Sequence, residues 1–194
     1  LGELLRKNKE SYAKLITQEM GKPISQSRGE LEKCADLCDH FAAKAPEYLA
    51  KEYIQTEHFK SYVSYEPLGV VLAVMPWNFP FWQVFRFAAP TLTSGNTGLL
   101  KHASNVFGCA QKIEDVFTKA GFPKGVFQSL VVGHDVTEKI ISYDGVRAIT
   151  LTGSDKAGSA VAQLSGKHLK NSLPDLWSSN PFIVLTDADL AFTI

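Results

Sequence analysis

The sequence predicts an α/β fold, a parallel sheet with helices on both faces, and three observations carry that prediction. Val70-Val71-Leu72-Ala73-Val74 is a continuous apolar run, the pattern of a strand buried on both sides. From Gly69 onward, strand-like and helix-like segments alternate without a break. The chain has 194 residues, 45% of them apolar, enough for one well-buried domain and part of a second.

The elements follow in order. Residues 3–19 form a helix with Leu4, Leu5, Tyr12, Leu15 and Ile16 on a shared face, and Met20-Gly21-Lys22-Pro23 ends it. Residues 25–50 form a longer helix in which Leu31, Cys34, Cys38, Phe41, Ala45 and Leu49 recur at helical spacing. Residues 58–66 alternate aromatic or apolar with polar side chains, as a half-exposed strand does, and their tyrosines suit an edge that pairs with another chain. Strands at 70–74, 97–101, 126–132 and 146–151 then alternate with helices at 80–93, 105–120, 135–142 and 154–168. The corresponding organisation is N-terminal helices over 1–52, a strand over 55–66 and the α/β core over 69–185.

Composition narrows the function. Lys plus Arg and Asp plus Glu are equal at 20 each, which gives no reason to expect nucleic acid or an anionic membrane as partner. No apolar run reaches the roughly 18 residues of a membrane span. The N-terminus has no signal-peptide layout, and its Leu1 in place of Met points to a start inside a longer protein. Three cysteines without scaffold spacing make a reducing, cytoplasmic setting the default. Cys34 and Cys38 share a helical face; without further ligands at matching spacing they read as core residues rather than a metal pair.

Ligands of such sheets bind beyond the carboxyl ends of the strands. At one such end, Leu151-Thr152-Gly153-Ser154 runs from a strand into a helix. Its free N–H groups suit a phosphate that Gly153 lets approach the backbone, or else Ser154 is an ordinary helix cap. No GxGxxG fingerprint occurs. At the other, Met75-Pro76-Trp77-Asn78-Phe79-Pro80 holds a polar amide between two prolines. Asn78 is either a donor to an oxyanion or the satisfied residue of a tight turn.

Five landmarks in register carry a resemblance: Pro76-Trp77-Asn78-Phe79-Pro80, Gly95-Asn96, Leu100-Lys101, Gly121-Phe122-Pro123-Lys124-Gly125-Val126 and Thr152-Gly153-Ser154. Over roughly residues 1–170 the chain resembles the aldehyde dehydrogenase superfamily, and most of all its bacterial succinate-semialdehyde dehydrogenases. The resemblance implies a Rossmann-like core and oxidation of an aldehyde to its acid with NADP or NAD. It implies that Asn78 is the oxyanion donor and that Lys101 contacts the adenosine ribose. It further implies that Gly153 and Ser154 meet the pyrophosphate, and that Val74, Met75 and Trp77 line the cofactor cleft. Ser104 stands where many NAD-preferring relatives carry Glu; a hydroxyl can donate to a 2′-phosphate that a carboxylate would repel, so NADP is expected, unless Ser104 serves only as a helix cap. Arg86 either snorkels to solvent or reaches into the cleft, where the resemblance gives it the distal carboxylate of the substrate. The strand at 58–66 resembles the family's oligomerisation hairpin, which implies a homo-oligomer in the full-length enzyme.

The resemblance breaks between Asn171 and Ser178. The family's general base is a Glu in Glu-Leu-Gly-Gly; here the run reads Asp175-Leu176-Trp177-Ser178. Asp175 is one methylene shorter, and Trp177 would intrude where glycine lets the backbone approach the nicotinamide. The family's nucleophilic cysteine lies downstream of this run, and none of Cys34, Cys38 and Cys109 matches it. The expectation is therefore a truncated dinucleotide-binding domain over 1–194, without the catalytic domain and inactive alone. A non-catalytic dinucleotide-binding or interaction module is the other reading.

Overall fold

The structure is a computed structural model that describes residues 1–176, 183–189 and 191. Trp177 and Ser178, and with them the expectation of an intruding tryptophan, lie outside the described residues.

The first predicted helix is two: α1 (Gly2–Lys7) and α2 (Lys9–Met20), broken at Asn8, whose side chain donates back to the Leu4 carbonyl at 2.8 Å. Such local bonding competes with helix continuation. Gly21 ends α2 in the left-handed region at φ 78°, its N–H on the Thr17 carbonyl, as the Gly-Lys-Pro sequence predicts. Helix α3 (Ile24–Tyr48) buries Ser27, Glu30, Leu31, Cys34 and Ala35 as one stripe.

The strand predicted over 58–66 shrinks to a short hairpin, β1 (Glu52–Tyr53) against β2 (Tyr62–Val63), both exposed. With no sheet behind it, alternation alone does not sustain a longer pairing.

The core is a parallel five-stranded sheet. Its strands are β3 (Val70–Met75), β4 (Thr97–His102), β5 (Phe127–Ser129), β6 (Val146–Gly153) and β7 (Asn171–Leu176), in spatial order β5-β4-β3-β6-β7. The crossovers are α4 (Trp82–Thr93), α5 (Phe107–Lys119), α6 (Thr137–Ser142) and α7 (Asp155–Lys167). Val71, Ala73 and Met75 point to the side of α1–α5, while Leu72 meets Ile141, Ile149 and Leu151 on the other side. That alternation buries β3 on both faces. The register of β6 slips between Val70 and Val71 of β3, passing over Arg147, which keeps Val146 and Ile149 on one face despite their odd spacing.

The fifth strand is the main departure from expectation. Asn171-Ser-Leu-Pro-Asp-Leu has a proline and half polar residues, which reads as loop; it pairs as an edge, where Pro174 costs no essential ladder bond. Tyr12, Phe81, Phe85, Phe117 and Phe127 form an aromatic column, with successive centroids 5.6, 6.4, 5.6 and 4.4 Å apart. The column ties α2 to the start of α4, to α5 and to β5, each fully buried ring contributing about 1.5–3 kcal/mol.

Candidate active-site cleft

The strand order counts 3-2-1-4-5, so the chain switches direction across the sheet between β3 and β6. The crevice beyond their carboxyl ends is where ligands of such sheets sit. Pairing of Met75 with His102 and of Val74 with Leu151 brings together three strand ends: Pro76–Pro80 after β3, Lys101 and His102 on β4, and Gly153 and Ser154 at the end of β6. Every cofactor and oxyanion residue expected from sequence falls on these three ends.

Helices α4, α5, α6 and α7 all start at this end of the sheet, and the starts of α4 and α5 are already filled. Glu30 of α3 accepts through Oε1 from the N–H groups of Phe81 (2.8 Å) and Trp82 (2.9 Å) at the start of α4. Glu19 of α2 accepts from Gly108 (2.7 Å) and Cys109 (2.8 Å) at the start of α5. An internal carboxylate thus takes the free donors and the positive dipole end in each case. Ser104 therefore has no cap to make: it is exposed, in a 3₁₀ turn without a side-chain cap bond, which corrects the helix-cap alternative.

Helix α7 starts with a light cap, Ser154 Oγ accepting from Ala157 N–H at 3.4 Å, so the capping expectation holds there. Exposed Asp155 and Lys156 follow as opposite charges. A Cβ on Gly153 would make only ordinary contacts, at 3.8 Å from Leu151 and 4.0 Å from Ala157, so nothing in the chain's own packing requires glycine there. What its missing side chain leaves is room beside open N–H groups, the cradle a phosphate needs.

Lys101 is 3% exposed and makes no hydrogen bond or ion pair among the described residues. Burial lowers its pKa, with the charge of Asp135 opposing. A buried ammonium without a partner fits a site built for an anionic or hydroxyl-rich ligand. Val74 is half-buried, Met75 buried and Trp77 45% exposed at the rim.

Asn78 Oδ1 is buried and accepts no hydrogen bond among the described residues. The turn around it is gripped instead by its neighbours. His102, 1% exposed, takes Ala103 N–H on Nδ1 at 3.0 Å and lies 2.9 Å from the Pro80 carbonyl through Nε2. The Pro80 carbonyl can only accept, so Nε2 carries a proton and donates to it, while Nδ1 sits between the Ala103 N–H and the Met75 carbonyl at 3.3 Å. Burial lowers its pKa.

Arg86 and Asp175, assigned separate roles from sequence, are an ion pair, and Arg86 Nη2 also donates to Thr152 Oγ1 at 3.2 Å. Both bonds leave from Nη2, and Nε and Nη1 carry none among the described residues. These residues line a cavity of about 740 Å³ with Met75, Phe87, Ile149 and Pro174 between α4 and β6–β7. The three cysteines are unsuited to attack. Burial pushes each thiol up, Cys38 to about 11, whereas a nucleophile must be a thiolate.

The residues that sequence reasoning missed are Lys22, Glu30, Glu19 and His102. A signal existed for two of them. Glu30 lies on the apolar stripe Ser27–Leu31–Cys34, and Glu19 continues the Tyr12–Ile16 stripe; a charge on a buried face demands a partner.

Comparison with known proteins bears on the same features. The succinate-semialdehyde dehydrogenase [NADP(+)] of Synechocystis, named as probable, is 52% identical over 188 residues, 97% of this chain and 41% of that protein. The succinate semialdehyde dehydrogenase [NAD(P)+] of Escherichia coli is 46% identical over 194 residues, 100% of this chain and 42% of that protein. The crystal structure of succinic semialdehyde dehydrogenase from Streptococcus pyogenes, in complex with NADP+, superposes with a TM-score of 0.92 at 36% identity over 98% of this chain and 42% of that one. The chain spans about two fifths of the length of these relatives. The aldehyde dehydrogenase family model matches residues 1–194 in full, and the chain belongs to the aldehyde dehydrogenase family.

Proposed function

We propose that this chain is the dinucleotide-binding part of an aldehyde dehydrogenase that oxidises a carboxylate-bearing aldehyde, succinate semialdehyde, with NADP+ and with NAD+ as the lesser cofactor. The observation that carries this reading is the contrast among the starts of α4, α5 and α7: α7 has no internal carboxylate among the described residues, and Lys101, buried on β4 at the same end of the sheet, has no hydrogen-bond or ion-pair partner among them. The names of the relatives in Synechocystis and Escherichia coli support the same substrate and cofactor.

In this reading Ser154 and the α7 N–H groups hold the pyrophosphate at the room Gly153 leaves. Lys101 and Ser104 hold the adenosine ribose and its 2′-phosphate, and Val74, Met75 and Trp77 line the cleft. The bound cofactor supplies the hydride acceptor. Asn78 orients toward the carbonyl oxygen of the aldehyde and stabilises the charge that develops there. Arg86 keeps its Nε and Nη1 donors for the distal carboxylate, since Asp175 and Thr152 both engage Nη2. Asp175, held by that ion pair, is the aligned base. The exposed hairpin aromatics Tyr53, Phe59 and Tyr62 support assembly with further copies, as in a homo-oligomer.

Titration calorimetry of the chain with NADP+ and NAD+ tests the reading. NADP+ binds more tightly, and Ser104→Glu weakens NADP+ by roughly tenfold or more while leaving NAD+ within about threefold. Tighter NAD+ binding by the parent, with no loss of NADP+ affinity in the variant, would refute it. Binding of either cofactor by the full-length protein without aldehyde oxidation would favour the non-catalytic module instead.

A further inference from the structure

We infer that Glu30, held by Lys22, is a positioning residue for Asn78, reaching the cleft from the N-terminal helical layer. The two residues lie outside the sheet and outside every landmark of the cleft. Glu30 is 4% exposed and Lys22 6% exposed, and they form a buried ion pair. Both reach the segment that carries Asn78. The second carboxylate oxygen of Glu30 takes the N–H groups of Phe81 and Trp82, three and four residues past Asn78. The Lys22 ammonium sits 3.6 Å from the centroid of the Phe79 ring, the residue next to Asn78. From the other side His102 donates to the Pro80 carbonyl. Residues 79, 80, 81 and 82 are therefore each held by a buried polar group, while Asn78 Oδ1 has no hydrogen bond of its own.

The side chain of Asn78 is thus aimed by its neighbours rather than by its own bonds. An amide whose oxygen has no partner to hold it takes its direction from the backbone that carries it. A buried ion pair is a poor source of net stability and a good source of a unique geometry. Here it fixes the first turn of α4, and the same turn starts the helix that presents Arg86.

The inference takes from the proposed function only the meaning of Asn78; its test reads the amide itself. In the full chain, the side-chain amide of Asn78 gives one sharp pair of nitrogen–proton resonances, and the Phe81 and Trp82 backbone amides are protected from hydrogen exchange. In Glu30→Ala the Asn78 pair broadens or splits, and protection at Phe81 and Trp82 falls roughly a hundredfold, while protection in α7 changes less than about threefold. Glu30→Gln, which keeps an acceptor oxygen, restores the single pair. Should Glu30→Ala not fold, Lys22→Met, which leaves the carboxylate but removes its anchor, broadens the same pair. An unchanged Asn78 pair in the folded variant overturns the inference, and so does an equal loss of protection in α7, which would mark a general loss of stability. Aldehyde turnover indifferent to Asn78→Ala would instead count against the oxyanion assignment alone.

Discussion

At one end of one sheet, α4 and α5 begin on carboxylates supplied by the N-terminal helices, and α7 begins on a single serine hydroxyl. The first two starts spend their donors inside the protein. Glu30 and Glu19 reach them across 51 and 89 residues of sequence, so the N-terminal layer is tied to two helix starts at the carboxyl end of the sheet. The start of α7 keeps its donors and has a glycine without a packing reason beside it, and Lys101 at the same end of the sheet has no partner among the described residues. The difference teaches how a fold with several helix ends can direct a phosphate to α7: the starts of α4 and α5 are filled first.

The largest test of this contrast is Glu30→Ala. It leaves the Lys22 ammonium buried without a counter-charge and two N–H groups without an acceptor, so a loss of about 3–5 kcal/mol is expected in chemical denaturation. The double variant Lys22→Met/Glu30→Gln removes the orphaned charge and recovers a large part of that loss. If Glu30→Ala costs less than about 1 kcal/mol, the α4 start is not closed by Glu30.

Glu19→Ala and Ser154→Ala form a matched pair at the next scale. Glu19 serves two N–H groups from a half-buried position, and its loss costs about 1–3 kcal/mol with NADP+ affinity unchanged. Ser154 serves one N–H through a long bond, and its loss costs about 0.5–1 kcal/mol but weakens NADP+ by roughly tenfold. Closed ends answer in stability and the open end in affinity. Denaturation curves and calorimetry on the same two variants decide it, and the reverse pattern would erase the distinction.

The open side was legible in the sequence and the closed side was not. Asn78, Lys101, Gly153 and Ser154 sit at strand ends that apolar runs and turn residues announce, so local pattern places them. Glu19, Glu30 and Lys22 act through contacts dozens of residues away, and only the oddity of a charge on an apolar stripe marks the two carboxylates. Strand β7 escaped for the opposite reason: Pro174 and Asn171 argue against a strand locally, and only pairing with β6 at the sheet edge makes one. Arg86 and Asp175 were each assigned a task, but their pairing needs the register that sets Asp175 beside Thr152.

The smallest effect concerns His102, which ties the Asn78 turn to the end of β4. Burial holds its folded pKa below the ordinary value of 6.5. Below 6.5 the unfolded chain takes up a proton that the folded chain refuses, so stability falls as pH drops from 6.5 toward the depressed value. The slope approaches about 1.4 kcal/mol per pH unit in that window and vanishes above it. His102→Gln can still donate to Pro80 but does not titrate, and its denaturation midpoint should be flat between about pH 7 and 5.5 where the parent declines. Neither Ser154 nor the α7 N–H groups ionise in that range, so the contrast sharpens again: acid loosens the gripped turn of Asn78 while the open end keeps its donors. A parent whose stability is level across the same window would mean that His102 is not held neutral by its burial, and the grip on Pro80 would lose its pH signature.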